Sequence, residues 1–264
     1  MISSSGVSLV AVAARRLWLC LIAGSLLSMT ACAPLQSSKV QPIPRLANGQ
    51  PDLSGLWQAL STAEWDLEPH AARKDAPAGV GVVEGDTIPY QPWALAKRNE
   101  NFAQRVVADP RVKCFWPGVP RINYTPLPFQ IFQAPQQVTL VYEYAHAVRT
   151  IHANGTPHPK GPINWWLGDS RGHWEGDTLV VDVVHFTDQT WLDRSGNFHG
   201  EDLHVVEKYR LSDADHIEYE ATLEDPKVYT KPWTLRLVLY RIKDKNAQLL
   251  ENECYTFDYE KFYP

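Results

Sequence analysis

The stretch DSRGHWEGDTLVVDVVHF, which runs from Asp169 to Phe186, decides the fold class because it has the pattern of one β-hairpin. Glu175, Gly176 and Asp177 form a turn signal in its middle. The run that follows the turn is rich in β-branched and aromatic residues, which β-strands prefer. A strand–turn–strand unit of this kind predicts an antiparallel sheet.

Further segments of the same character follow one another along the chain, separated by turn residues such as Asn154-Gly155. Beside 178–186 in the hairpin, the predicted strands are 129–133, 138–144, 148–152, 203–211, 216–223, 233–240 and 249–257. A helix is predicted over 92–107, where a proline is followed by good helix formers. Many short strands with turns between them predict a sandwich or a barrel. We expect a mainly β protein, an antiparallel meander β-barrel with one short helix and an irregular proline-rich insertion at about 60–125.

Alternation along the predicted strand 203–211 points one carboxylate inward. Successive side chains of a strand point to opposite faces, so every second residue shares the apolar face. These residues are Leu203, Val205, Glu207, Tyr209 and Leu211. A buried carboxylate must be paired or carry a proton, because an isolated charge is costly to bury. The strands 216–223 and 233–240 have similar apolar faces, so Glu207 is expected within a wide apolar wall.

The N-terminal segment predicts export. Arg15-Arg16 is followed by a short apolar run that ends in small residues, which is typical of a secretory signal. The run is shorter than the roughly 20 residues of a comfortable membrane span. Met29-Thr30-Ala31-Cys32 resembles the bacterial lipoprotein cleavage box. The resemblance implies that Cys32 becomes a lipidated N-terminus, with ordinary cleavage as the alternative.

These signals divide the chain into a signal peptide at 1–31, a lipidated tether at 32–50 and a single barrel domain at 51–264. The tether is rich in Pro, Ser and Gln, as linkers often are. No Asp follows the candidate lipidated cysteine, which fits sorting to the outer membrane. The expected location is therefore the periplasmic face of the outer membrane, or the periplasm or exterior if the chain is not lipidated.

Charge and motifs exclude several classes of function. The formal net charge is −5, and it becomes −7 when residues 1–31, which contain Arg15, Arg16 and no acidic residue, are removed. No basic patch is apparent, so nucleic acid is not an expected partner. The chain has neither a P-loop nor a Gly-x-Gly-x-x-Gly motif, so no cofactor is expected. The partners expected are a small apolar or amphipathic molecule and, through the anchor, a membrane.

Two cysteines remain in the predicted barrel domain, Cys114 and Cys254. An even pair in an oxidising compartment predicts a disulfide between them. Two buried, unpaired thiols are the alternative.

Glu207, His199 and Arg149 are the candidate catalytic residues. An inward carboxylate with a histidine or an arginine beside it could supply a tuned acid and base, as in a cofactor-independent lyase, isomerase or hydratase. The alternative is a structural ion pair between Arg149 and Glu207, because such pairs perturb titration as active sites do. His199, His204 and Glu207 could suggest a metal site, but His204 and Glu207 lie three apart on a strand and face opposite sides. No metal is predicted.

Aromatic side chains are the candidate ligand-binding residues, since they could line a cavity for apolar or sugar-like molecules. They are Trp165, Trp174, Trp191, Tyr219 and Trp233. Filling of the barrel core is the alternative, because buried tryptophans more often serve packing.

Two resemblances accompany these patterns. Residues 52–57, DLSGLW, resemble the first-strand Gly-x-Trp of lipocalins and related calycin barrels, which implies a meander around a ligand cavity. A closer resemblance, to a group of secreted bacterial proteins, covers about 88–254. It is carried by IPYQPWALAKRNEN, KCFWPGVPR, PFQIFQ, SRGHWEGDTLVVDV, WLDRSGNFHGEDLHVVEKY, EDP followed by YTKPW, and the late Cys254. This second resemblance implies export and carries no reaction with it.

The function expected from the sequence is that of a cell-envelope lipoprotein with a small apolar or amphipathic ligand in the barrel cavity. A cofactor-independent lyase, isomerase or hydratase is one alternative. A structural envelope lipoprotein with a filled barrel is the other. An open or a packed lumen separates the last from the first two.

Overall fold

Nine strands form a closed barrel in the computed structural model, which describes residues 42–255. The strands are β1 Gly55–Ala59, β2 Phe129–Ala134, β3 Gln137–Tyr142, β4 Val148–His152, β5 Asp169–Glu175, β6 Thr178–Val184, β7 His204–Asp213, β8 His216–Glu224 and β9 Trp233–Arg241. Each strand pairs with the next, and β1 pairs with β9 to close the ring. The prediction of a mainly β barrel is confirmed.

The hairpin predicted over 169–186 is formed by β5 and β6. Its register pairs Glu175 with Thr178 across the turn and Asp169 with Val184 at the far end. Gly176 has a φ of 58°, the left-handed region that glycine adopts without a steric penalty. The turn signal therefore lies where the sequence predicts it.

One pair of strands departs from the predicted antiparallel meander. β4 and β5 run parallel, with Ile151 opposite Ser170 and His152 opposite Arg171. A parallel neighbour needs a crossover of about a dozen residues or more. The connection 153–168 is long enough to provide that crossover, whereas a hairpin turn is not.

The predicted strand 249–257 is wrong over the part that the structure describes. Residues 249–255 contain one bridged pair, between Asn252 and Tyr144, and no strand. The barrel is already closed by β1 and β9, which leaves no free edge for a tenth strand. A disulfide holds this segment instead: Cys114 and Cys254 are bonded, with their Cα atoms 5.5 Å apart. The predicted pairing of the two cysteines is confirmed.

Helices occupy the connection between β1 and β2. The helix α1, Pro92–Ala108, begins with a proline at its first position, where no backbone donor is lost, and matches the predicted helix. A 3-10 turn, Pro110–Lys113, and a second short helix, α2, Arg121–Tyr124, follow it. None of the helices within residues 42–255 is long and apolar enough to cross a bilayer. The predicted signal peptide and Cys32 lie outside the described residues.

The barrel interior is packed with side chains. The predicted inward faces of β7, β8 and β9 are buried, and the glutamates at 218 and 220 on β8 point outward. All four residues of α2 are buried as well. The side-chain amide of Asn123 in α2 donates hydrogen bonds to Glu207 of β7 and Tyr219 of β8. Its side-chain oxygen accepts a hydrogen bond from the Tyr142 hydroxyl of β3. Because these strands lie on different sides of the ring, α2 occupies the lumen.

Candidate functional site

Glu207 lies at the centre of a buried network in the lumen. Its Oε1 accepts hydrogen bonds from Arg149 Nη1 at 3.0 Å and from Asn123 Nδ2 at 2.9 Å. The hydroxyls of Tyr209 and Tyr219 donate to the same oxygen at 2.9 and 2.8 Å. Arg149 Nη2 donates to Oε2, the other carboxylate oxygen. The inward orientation predicted for Glu207 is confirmed, and both of its oxygens are occupied by donors from the protein.

Electrostatics in the network keep its arginine charged and its tyrosines neutral. Burial lowers the pKa of Arg149, but the charge of Glu207, its hydrogen bond and the neighbouring tyrosines together raise it by more, so the pKa lies well above its ordinary value. Burial raises the pKa of Tyr209 and Tyr219 well above the ordinary range. A tyrosine that keeps its proton can donate it in a hydrogen bond, which is the role both side chains have here.

The lumen beside this network has little free space. A crevice too small to hold a water molecule lies among residues of β2, β3, β4, β6 and β7 and a leucine that precedes β1. They are Leu53, Ile131, Val138, Leu140, Ile151, Leu179 and Tyr209. Pockets for small molecules usually measure about 300–1,000 Å³. The expected hollow tube is therefore a filled one, because α2 and the inward tyrosines occupy the space.

The structure does not bring His199 to Glu207. His199 lies in the connection between β6 and β7, where its Nδ1 is 2.8 Å from the carbonyl oxygen of Gly200. A carbonyl can only accept, so Nδ1 carries the proton. Nε2 then accepts a hydrogen bond from the Thr190 hydroxyl at 2.8 Å. Burial lowers the pKa of His199, which favours this neutral tautomer.

The same connection, residues 185–203, folds into a compact loop that is organised by Asp193. Its Oδ1 accepts the backbone N–H groups of Ser195 and Asn197 at 2.8 and 3.2 Å. The loop closes with an antiparallel bridge between Trp191 and Phe198. Burial, together with the nearby charge of Asp66, raises the pKa of Asp193 to about 7. The loop thereby holds an indole, a phenyl ring and the imidazole of His199 on one side.

A cleft of about 380 Å³, open to solvent, lies between this loop and α1. Its lining residues are Trp93, Lys97, Asn101, Asp188, Trp191, Phe198, His199, Gly200 and Val228. Aromatic walls with a few polar groups between them are typical of small-molecule sites. We take this cleft as the candidate site, because it combines several aromatic side chains and a histidine with sufficient volume.

The aromatic rings of the cleft are held in place by contacts with neighbouring residues. Trp93 packs edge-on against Phe198 with ring centroids 6.1 Å apart, and Phe198 stacks on Tyr90 at 5.9 Å. Trp93 Nε1 donates to the carbonyl oxygen of Lys227 at 3.1 Å. Although it is fixed in this way, the Trp93 side chain is 56% exposed. An exposed and immobilised indole favours a binding role over a packing role.

Of the five aromatic residues predicted to bind a ligand, Trp191 lines the cleft. Tyr219 belongs to the lumen network, and Trp233 is buried at the start of β9 against Tyr229, with ring centroids 5.5 Å apart. Trp174 packs on the core from β5. Trp165 lies beside the β6 end, edge-on to a histidine at 5.9 Å. Trp233 and Trp174 therefore pack in or against the core, which was the alternative to ligand binding.

Sequence reasoning missed Trp93, Lys97, Asp188 and Phe198 as members of a site. The first two lie on α1 and the other two on the loop after β6, so no spacing rule connects them. One local signal could have suggested that Trp93 is exposed. It is the second residue of the helix, and the residue one turn later is Lys97 rather than an apolar residue.

His204 and Glu207 point to opposite faces of β7, as predicted. His204 Nε2 is 2.9 Å from Asp182 Oδ2 on the outer surface of β6, and this contact raises the pKa of His204. Within residues 42–255, no three His, Cys, Asp or Glu side chains are arranged to hold a metal ion.

Comparison of the chain with models of protein families, with curated proteins and with solved structures gave no match.

Proposed function

We propose that this protein is a cell-envelope lipoprotein that binds a small amphipathic molecule in the cleft between α1 and the loop after β6. The observation that carries the proposal is the fixed, exposed indole of Trp93, which faces a cleft that also holds Trp191 and a carboxylate. The cleft volume of about 380 Å³ lies within the range of small-molecule pockets. The lumen has no space even for a water molecule at its largest crevice, so the ligand is assigned to the cleft.

The envelope location rests on the N-terminal sequence. A secretory signal followed by Cys32 in a lipoprotein box implies an acyl anchor, and the disulfide between Cys114 and Cys254 fits an oxidising compartment. The resemblance to secreted bacterial proteins supports the same location. Radiolabelled palmitate incorporated into the full chain, but not into Cys32→Ser, is the expected result. Equal labelling of both chains would contradict the anchor.

Ligand binding is tested by native mass spectrometry of the protein purified from its own envelope. We expect a mass increment of a few hundred daltons that the wild type carries and Trp93→Ala loses. Phe132→Ala is the matched control, because Phe132 is an aromatic residue on the outside of the barrel and is 51% exposed. Retention of the increment in Trp93→Ala would contradict the assignment to the cleft.

A structural lipoprotein with a filled barrel is a second candidate, and the packed lumen is the observation that favours it. It predicts that no increment is present in the wild type. It also predicts that Trp93→Ala does not change the amount of folded protein in the envelope.

A further inference from the structure

The charges that line the cleft balance one another. Lys97 and Asp188 contribute one charge of each sign, and Lys97 is also 3.1 Å from Glu100 on the next turn of α1. A phosphate or carboxylate ligand would be repelled by Asp188, and a cationic ligand would be repelled by Lys97. The lining therefore favours an uncharged ligand.

Two polar groups in the cleft have free hydrogen-bonding capacity. Among the described residues, neither the Asp188 carboxylate nor the indole N–H of Trp191 has a hydrogen-bond partner, and Trp191 is only partly buried. One group is an acceptor and the other a donor. A hydroxyl group can serve both, because it donates one hydrogen and has two lone pairs. A ligand with several hydroxyls could therefore satisfy the carboxylate, the indole N–H and the Lys97 ammonium together.

The aromatic walls suit a flat ligand that has C–H groups on its faces. The face of an indole carries partial negative charge, which attracts the weakly positive hydrogens of a C–H-rich surface. Trp93 is held by its hydrogen bond to Lys227 and by Phe198, so it can present such a face without losing side-chain freedom on binding. A pyranose ring has apolar faces and a rim of hydroxyls, which matches both features of the cleft.

We infer that the cleft binds an uncharged saccharide unit. The inference rests on the proposed function, since it names the chemical class of the ligand at the same site. Trp93 would stack on one face of the sugar, Asp188 would accept hydrogen bonds from its hydroxyls, and the Trp191 N–H would donate to one of them.

The experiment probes a microarray of bacterial and plant oligosaccharides with the full mature protein in detergent. The best-binding oligosaccharide is then titrated by calorimetry against three variants. Trp93→Ala removes the stacking surface, Asp188→Asn removes the charged acceptor, and Trp191→Phe keeps a ring but removes the N–H donor. Phe132→Ala is again the control.

We expect about tenfold weaker binding for Trp93→Ala and for Asp188→Asn, a smaller loss for Trp191→Phe and none for the control. Thermal melting of each variant checks that it is folded. An array without any signal overturns the inference, and so does a signal that survives in both Trp93→Ala and Asp188→Asn. If the array is blank while a ligand that depends on Trp93 appears by native mass spectrometry, the proposed function stands and the saccharide inference fails.

Discussion

Replacement of Glu207 by glutamine is expected to be among the most destabilising conservative changes in the barrel. The side chain is fully buried and accepts five hydrogen bonds, two of which come from the Arg149 guanidinium. Glutamine keeps one carbonyl oxygen for the two tyrosines and Asn123, but its NH₂ group would face the Nη2 of Arg149. Two donors would then face each other, and a buried cation would lose its counter-charge.

The magnitude follows from the cost of leaving one partner of a buried ion pair alone, which is about 3–5 kcal/mol. Arg149 cannot avoid that cost by losing its proton, because guanidinium groups stay charged in proteins. With a slope of about 3 kcal/mol per molar urea, a loss of about 4 kcal/mol moves the urea midpoint down by about 1.3 M. The tryptophan fluorescence of the folded domain gives the transition.

A double-mutant cycle separates the pair from the rest of the network. Arg149→Met in the Glu207→Gln background removes the unpaired cation, so the double variant is expected to be at least about 1 kcal/mol more stable than Glu207→Gln alone. A loss below about 1 kcal/mol for Glu207→Gln would refute the reasoning. The reasoning would also be refuted if the loss of stability in the double variant equalled the sum of the losses in the two single variants.

Three further changes test other parts of the structure. Cys254→Ala opens a loop of sequence separation 140 closed by Cys114, and the chain-entropy model gives a loss of about 5 kcal/mol, measured by urea unfolding; reduction of the wild type should reproduce it. Burial raises the pKa of Asp193 from 3.8 to about 7, so its contribution to stability is full below pH 3.8 and is lost as the pH rises through about 7. The melting temperature should therefore fall between pH 4 and 7, and fall less in Asp193→Asn. Nitrogen-15 shifts of His199 at pH 7 should show a protonated Nδ1 and an unprotonated Nε2; a proton on Nε2 would contradict the hydrogen bond from Thr190.

Local patterns in the sequence were sufficient for the strands and their faces. The alternation in 203–211 predicts that Glu207 points inward, because it shares a face with four apolar or aromatic residues, whereas the opposite face is mostly polar or charged. The two cysteines left in the barrel domain predict their own pairing for a similar reason, since only one combination is possible. The Arg149–Glu207 pair, one of the two alternatives, follows once β4 and β7 are on the same ring.

The orientation of β5 and the state of the lumen could not be predicted in the same way. The connection 153–168 is long enough for either a parallel or an antiparallel return, so its length leaves the choice open. α2 is only four residues long, and its sequence does not indicate that Asn123 will occupy the barrel interior. An expected ligand cavity is thus replaced by a packed core.

The sequence by itself determined the class of fold, the inward carboxylate and the disulfide. The first two follow from the local alternation of apolar residues, and the disulfide follows from the count of two cysteines in the barrel domain. Only the tertiary structure decided which aromatic side chains share a cleft. Trp93 belongs to α1, and Trp191 belongs to the loop after β6. Their proximity depends on how the connection between β1 and β2, which contains α1, packs against that loop. Such packing is the sum of many weak and non-directional contacts, which leave no recurring signature along the chain.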